Sequence, residues 1–239
     1  MMNVHIIQQD PWVGPGEYAA WAARNGHSVT YTRCWLFEPV PKTTDADLLV
    51  VLGGYQNPAM TREECPYFDS EAEQALIRKY AESGRAVVGS CLGAQLIGQV
   101  FSGTYAHSPQ REVGPISLRL TAEGRADPFL KAFPEVFESA QWHNDMPALS
   151  PDCTLLAFSE GCPHQIVRYG KYIYAFQAHM EFTRGIVEAG IEDSGGVISG
   201  SGPFVHTPEE FLAFDFEKMN ALLSSFLDAL VQEYQQEHF

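Results

Sequence analysis

The sequence predicts an α/β protein built on a doubly wound, mostly parallel sheet. Three observations predict it. Strand-like and helix-like segments alternate through the first hundred residues, in the order β-α-β-β-α-β-α. The run Ala46–Leu52 is continuously apolar after its first residues, as a strand buried on both faces must be. From Thr104 to Tyr174 the chain breaks into short β-like pieces separated by Gly/Pro turns, which adds antiparallel strands at the sheet edge.

The elements follow in order. Val4–Ile7 is apolar and opens the sheet. Glu17–Arg24 is a helix closed by Asn25-Gly26, a natural helix stop. His27–Thr32 alternates with β-branched residues and reads as a second strand. Ala46–Leu52, the third, ends at Gly53-Gly54. Phe68–Ser83 places Ala72, Ala75, Leu76 and Tyr80 on one helical face and stops at Gly84. A short strand, Ala86–Val88, leads into a helix from Ala94 to Phe101. Ile116–Leu120, Thr154–Ser159, Gln165–Tyr169 and Tyr172–Phe176 are the later strands. Gly195–Gly202 is a Gly/Ser-rich loop. It leads to Thr207-Pro208-Glu209-Glu210, which has capping-box spacing. A last helix then carries Met219, Leu222, Leu223, Phe226, Leu227 and Leu230 at helical spacing.

Composition narrows the function. The 239 residues hold 15 Lys+Arg against 30 Asp+Glu, a net charge of −15. An acidic chain is a poor partner for nucleic acid and for anionic membrane surfaces. No apolar stretch reaches the roughly 20 residues of a membrane span. The five cysteines include no C-x-x-C and form no disulfide framework, so a reducing cytoplasm is expected and a structural zinc is not. His5, His27, His107 and His206 read as surface or capping residues. Cys162-x-His164 with His143 lacks a fourth ligand placed by spacing, so no metal is expected.

The chemistry concentrates in two segments. Gly89-Ser90-Cys91-Leu92-Gly93 lies between a strand and a helix, the context of a nucleophile elbow. There the sulfur meets a helix N-terminus, which favours thiolate over thiol. The Leu92 amide points where an oxyanion would form. A buried structural cysteine is the plain alternative. Downstream, His179 and Glu181 are two apart at the end of an apolar strand-like run. On a strand they would face the same side, roughly 6–7 Å apart at Cα, close enough for Glu181 to orient the imidazole. Gly53-Gly54 ends a neighbouring strand on the same side of the sheet, and a Gly pair lets a backbone amide approach a substrate as a second oxyanion donor needs; a simple turn is the plain alternative. Trp12, after the first strand, also lies on that crevice side.

These segments together resemble the triad-type class I glutamine amidotransferases, and most of all the free-standing members similar to the amidotransferase domain of GMP synthase. Trp142-His143-Asn144-Asp145 and Cys162-Pro163-x-Gln165-x-x-Arg168-Tyr169-Gly170 add to the resemblance, which covers nearly the whole chain. It implies one amidotransferase domain over residues 1–239 with a flavodoxin-like three-layer α/β/α fold. It implies Cys91 as nucleophile, His179 as acid/base and Glu181 as orienter. It further implies Gly54 and Leu92 as the oxyanion hole, and Gly53, Gln95, Trp142 and His143 as substrate-binding residues. The substrate would be glutamine or another γ-glutamyl compound. A synthetase partner would accept the ammonia, and no cofactor is needed. Two positions depart from the family: Tyr55 and Met180 stand where proline is usual. A γ-glutamyl peptidase using the same triad, and a non-catalytic binding protein of the same fold, are the competing expectations.

Overall fold

The structure is a computed structural model that describes residues 1–198 and 200–238. Ser199, inside the loop expected over Gly195–Gly202, lies outside the described residues. Among the described residues nine strands form one sheet: β1 (Asn3–Gln8), β2 (Ser28–Arg33), β3 (Leu48–Val51), β4 (Ala86–Ser90), β5 (Tyr105–Leu120), β6 (Val136–Pro147), β7 (Thr154–Ser159), β8 (Ile166–Gly170) and β9 (Ile173–Phe176). Their spatial order is β2-β1-β3-β4-β9-β8-β7-β5-β6. Pairing is parallel from β2 through β9 and antiparallel from β9 to β6. The antiparallel addition is thus four strands wide.

Seven helices flank it among the described residues: α1 (Gly16–Arg24), α2 (Ser70–Glu82), α3 (Leu92–Ser102), α4 (Ala122–Ala126), α5 (Arg184–Asp193), α6 (Pro208–Leu212) and α7 (Phe216–His238). Alternation along the buried strands divides the core in two. Ile6, Leu48, Val50 and Val88 join α1, α5, α6 and α7 in one apolar layer. Ile7, Leu49, Val51 and Val87 join α2 and α3 in the other. All four residues of β3 are buried, so its unbroken apolar run is what two covered faces require. No helix among the described residues is long and apolar enough to cross a membrane.

Three expectations are corrected. The final helical pattern is two helices, because the chain breaks at Ala213–Asp215 after the capping box has started α6. His5 is buried rather than surface, its ring bonded to Thr30 Oγ1 at 2.8 Å and Thr32 Oγ1 at 3.0 Å. His179 and Glu181 lie beyond the end of β9 rather than on a strand. The chain leaves the β4 ladder there: the His179 amide bonds Ala140 O of β6 (2.9 Å), and the Phe182 amide turns back to His179 O.

Candidate active site

Cys91 occupies the single-residue step between β4 and α3 with φ +52° and ψ −109°. Few non-glycine residues adopt a positive φ, and such strain concentrates where a side chain must be presented at one angle. Neighbouring bonds hold the conformation in place. The Cys91 amide donates to Phe176 O of β9 at 2.8 Å, and Cys91 O accepts from the Gln95 amide at 3.1 Å. The flanking glycines are steric necessities. A Cβ on Gly89 would lie 2.5 Å from the Gly93 backbone, and one on Gly93 would lie 2.0 Å from Val51 O. The G-x-C-x-G spacing therefore lets α3 start directly against β3 and β4. Leu92 begins α3 with its side chain in the core and its amide in the first turn, where no intrahelical acceptor exists.

The His179–Glu181 turn is pinned from several sides. Glu181 O accepts from the Glu17 amide of α1 at 3.0 Å. Asn220 of α7 donates its Nδ2 to Met180 O (2.9 Å) and Phe182 O (3.0 Å). The turn still delivers the contact expected from the two-residue spacing: His179 Nδ1 donates to Glu181 Oε1 at 2.8 Å. Both groups are buried, and the ring stacks on Phe182 with centroids 3.9 Å apart. Burial alone would push this imidazole down. The negative charge of the Cys91 sulfur and then of Glu181, with their hydrogen bonds, outweigh burial and carry it up to about 10. A negative charge on either neighbour favours the protonated ring over the neutral one.

Gly53 lies against both Cys91 and His179. A Cβ there would lie 2.6 Å from His179 Cε1 and 3.2 Å from Cys91 Cβ. Gly54 is equally confined, by Gln56 Oε1 and Asp10 Oδ2. Its loop is tied to the turn after β1: Asp10 accepts from the Tyr55 amide (3.3 Å) and from Tyr67 Oη (2.7 Å). Burial holds the Asp10 carboxyl above its usual range, against the pull of those hydrogen bonds. At the two positions that depart from the family, the residues present are used. Tyr55 supplies an N–H that proline lacks, and Met180 is a buried core side chain.

These elements enclose a cavity of about 180 Å³. Cys91, His179, Gly54, Gln95, Trp142 and His143 all line it. Of the remaining expected residues, Gly53 buttresses Cys91 and His179, Leu92 contributes only backbone at the helix start, and Glu181 sits behind the imidazole. Gln95 donates to Gln177 Oε1 at 3.3 Å, and its own Oε1 is buried with no partner among the described residues. The Cys91 sulfur lies 3.8 Å from Trp142 O, and the Trp142 indole packs 5.5 Å from that of Trp12, which lines the cavity as its position after β1 suggested.

His143 has a second role that spacing did not show. It faces Glu112 across the β5–β6 ladder and donates Nε2–H to Glu112 Oε2 at 3.1 Å. The same carboxylate accepts from Ser159 Oγ and Gln165 Nε2, each at 2.6 Å. Glu112, His143 and Cys162 bring one ligand-type atom each within 4.8 Å of one another, while His164 turns away to Pro147 O. This cluster is built as a hydrogen-bond hub. The carboxylate accepts from three protein donors, and burial pushes the Cys162 thiol up to about 12.

Comparison with known proteins agrees with the geometry. The family model "Glutamine amidotransferase class-I" matches residues 22–192. The glutamine amidotransferase-like protein YfeJ of Salmonella typhimurium is 41% identical over 238 residues, covering 98% of this chain and all of that protein. The crystal structure of SMU.1228c is 42% identical with a TM-score of 0.92, covering 96% of this chain and all of that one. One subunit of the glutamine-hydrolyzing GMP synthase of Pyrococcus abyssi is 28% identical over 110 residues, 45% of this chain and 57% of its own. With a strained cysteine elbow, a buried His–Glu pair and a shared cavity in place, the chain belongs to the class-I glutamine amidotransferase family.

Proposed function

We propose that the chain hydrolyses a γ-glutamyl amide through a Cys91 thioester. The observation that carries this reading is the convergence of three groups. The Cys91 sulfur stands on a positive-φ elbow, and the His179–Glu181 pair lies beside it across Gly53, with Cys91 and His179 lining one cavity. Cys91 attacks the side-chain carbonyl as thiolate, with His179 protonated. The oxyanion is held by the amides of Gly54 and Leu92. The C–N bond breaks as His179 gives its proton to the departing nitrogen, which leaves as ammonia or an amine. Water then gives a proton to neutral His179 and adds to the thioester, and glutamate leaves with Cys91 restored. Glu181 fixes the tautomer in which Nε2 carries out both transfers. Gln95, Trp142 and His143 contact the substrate from the cavity wall. Neither a metal nor an organic cofactor is required by these steps.

The whole chain, in this proposal, acts as one amidotransferase unit. Its GMP synthase relatives are named as subunits, which supports a partner that accepts the ammonia. The five thiols, all free, suit a reducing cytoplasm. The test is amide hydrolysis. Purified protein is given glutamine and then γ-glutamyl peptides, with release of ammonia or amine followed. Cys91→Ala should abolish release while keeping the melting transition; full turnover by that variant would refute the proposal.

A further inference from the structure

Arg111 stands apart from the other cations of the molecule. Among the described residues it is the only Arg or Lys lining the Cys91 cavity, and Asp145 is the only carboxylate doing so. Asp145 is already engaged by His107, whose ring pairs with it. None of the ion pairs among the described residues involves Arg111. Its Nε is buried with no hydrogen-bond partner among them. A guanidinium half out of water with an unmet donor is costly unless something with matching acceptors arrives.

The backbone places it there by a specific irregularity. Between His107–Asp145 and Glu112–His143, β5 takes five residues over a span that β6 covers in two. Such bulges re-aim side chains and are frequent beside active sites. On the far side of the bulge Glu112 is locked into its buried hub, which anchors the next residue along. The segment around Val205 then pairs alongside Val113, and Gly200 packs within 3.5–3.7 Å (measured from an added Cβ) of the Arg111 guanidinium end. Arg111 is therefore held at the cavity wall by β5 and covered from the α5–α6 connection.

We propose that Arg111 is the anchor for a carboxylate of the substrate. This rests on the γ-glutamyl reading given above and adds a residue and a charge requirement to it. A planar guanidinium fork matches a carboxylate in two parallel hydrogen bonds, and in a chain of net charge −15 a local cation is what draws an anionic group inward. Two carboxylates carry this chemistry: the α-carboxylate of the glutamyl unit, and the carboxylate of an amino acid or peptide leaving group.

Calorimetric titration of Cys91→Ala protein, which cannot turn over, with glutamine and with γ-glutamylglycine tests this. The same titrations are run on Cys91→Ala combined with Arg111→Gln or with Arg111→Lys, and melting curves check that each variant is folded. Arg111→Gln should weaken binding about 10- to 100-fold, as loss of a charge-assisted pair does, and Arg111→Lys should fall between. Equal weakening for both ligands identifies the α-carboxylate. Weakening confined to γ-glutamylglycine identifies the leaving group and makes γ-glutamyl amino acids or peptides the substrate class. Unchanged affinity for both ligands, or no binding of either by Cys91→Ala alone, overturns the proposal. Turnover by the Cys91 protein is read separately. Binding without turnover refutes hydrolysis and leaves Arg111 standing; turnover with Arg111→Gln binding unchanged does the reverse.

Discussion

Replacing Gly53 by alanine should disable catalysis without unfolding the protein. The φ of Gly53 is not positive, so the backbone accepts alanine and the effect is steric. The new methyl would sit 2.6 Å from His179 Cε1, where ordinary contact begins at 3.4 Å. Something must therefore yield by about 0.8 Å. The imidazole tip is the nearest atom, and it is not free to swing. Its Nδ1 is bonded to Glu181, its face is stacked on Phe182, and its amide is tied to β6. A misplacement near 1 Å costs on the order of 100-fold in rate, or about 2.7 kcal/mol of barrier. The expected result is a kcat for γ-glutamyl amide hydrolysis about 100-fold lower, with a smaller change in KM. Gly185→Ala is the control. A Cβ there meets nothing within 4 Å and the site is in α5, so activity should hold and stability should rise by about 0.4–1 kcal/mol. If Gly53→Ala keeps kcat/KM within twofold of the unaltered protein, the imidazole is not where catalysis needs it, and the reasoning fails.

Two predictions concern protonation. Cys91→Ala removes the largest influence raising the His179 imidazole, so its NMR titration should move well below about 10; an unmoved midpoint would separate the two groups electrostatically. In the unaltered protein the stability owed to that charged ring is whole below about pH 6.5. It is lost as pH climbs toward about 10. Glu73 loses stability in the same direction for a different reason: burial disfavours its charged form and raises this α2 carboxyl to about 8. The folded state then keeps a proton that the unfolded chain releases above about 4.5, so stability falls as pH rises from there through about 8. Glu73→Gln still accepts from Gln9 and does not titrate. Its gain in unfolding free energy, measured by urea titration, should grow from pH 5 to pH 8 to a few kcal/mol, and an equal gain at both would refute the assignment.

What could be read from the sequence divides along physical lines. β3 and the elbow were legible because their patterns are local: an unbroken apolar run, and glycines whose missing side chains are needed within one strand–helix step. The His179–Glu181 bond was legible for the same reason, although the spacing works through a turn and not a strand. β6 was not. Its sequence, VFESAQWHNDMP, buries Ser139, Gln141 and His143, and a buried polar residue looks like a loop residue until its partners are known. α5 was hidden by its two glycines, at 185 and 190, which lower helix propensity. Gly190 is there because a Cβ would strike Trp12. The Glu112 hub and the aim of Arg111 depend on strand register across a bulge, and no local pattern encodes that.

The placement of β9 has a consequence for how the molecule is made. It is the last strand in sequence, yet it fills the middle of the sheet, between β4 and β8. A nascent chain ending before Ile173 would hold β4 as an open edge made of wholly buried-type residues, the kind of edge on which chains aggregate. β9 closes that edge, gives the Cys91 amide its acceptor at Phe176 O, and leads directly into His179. The Cys91–His179 juxtaposition and the closed sheet edge therefore depend on the same strand. A truncated or stalled chain has neither.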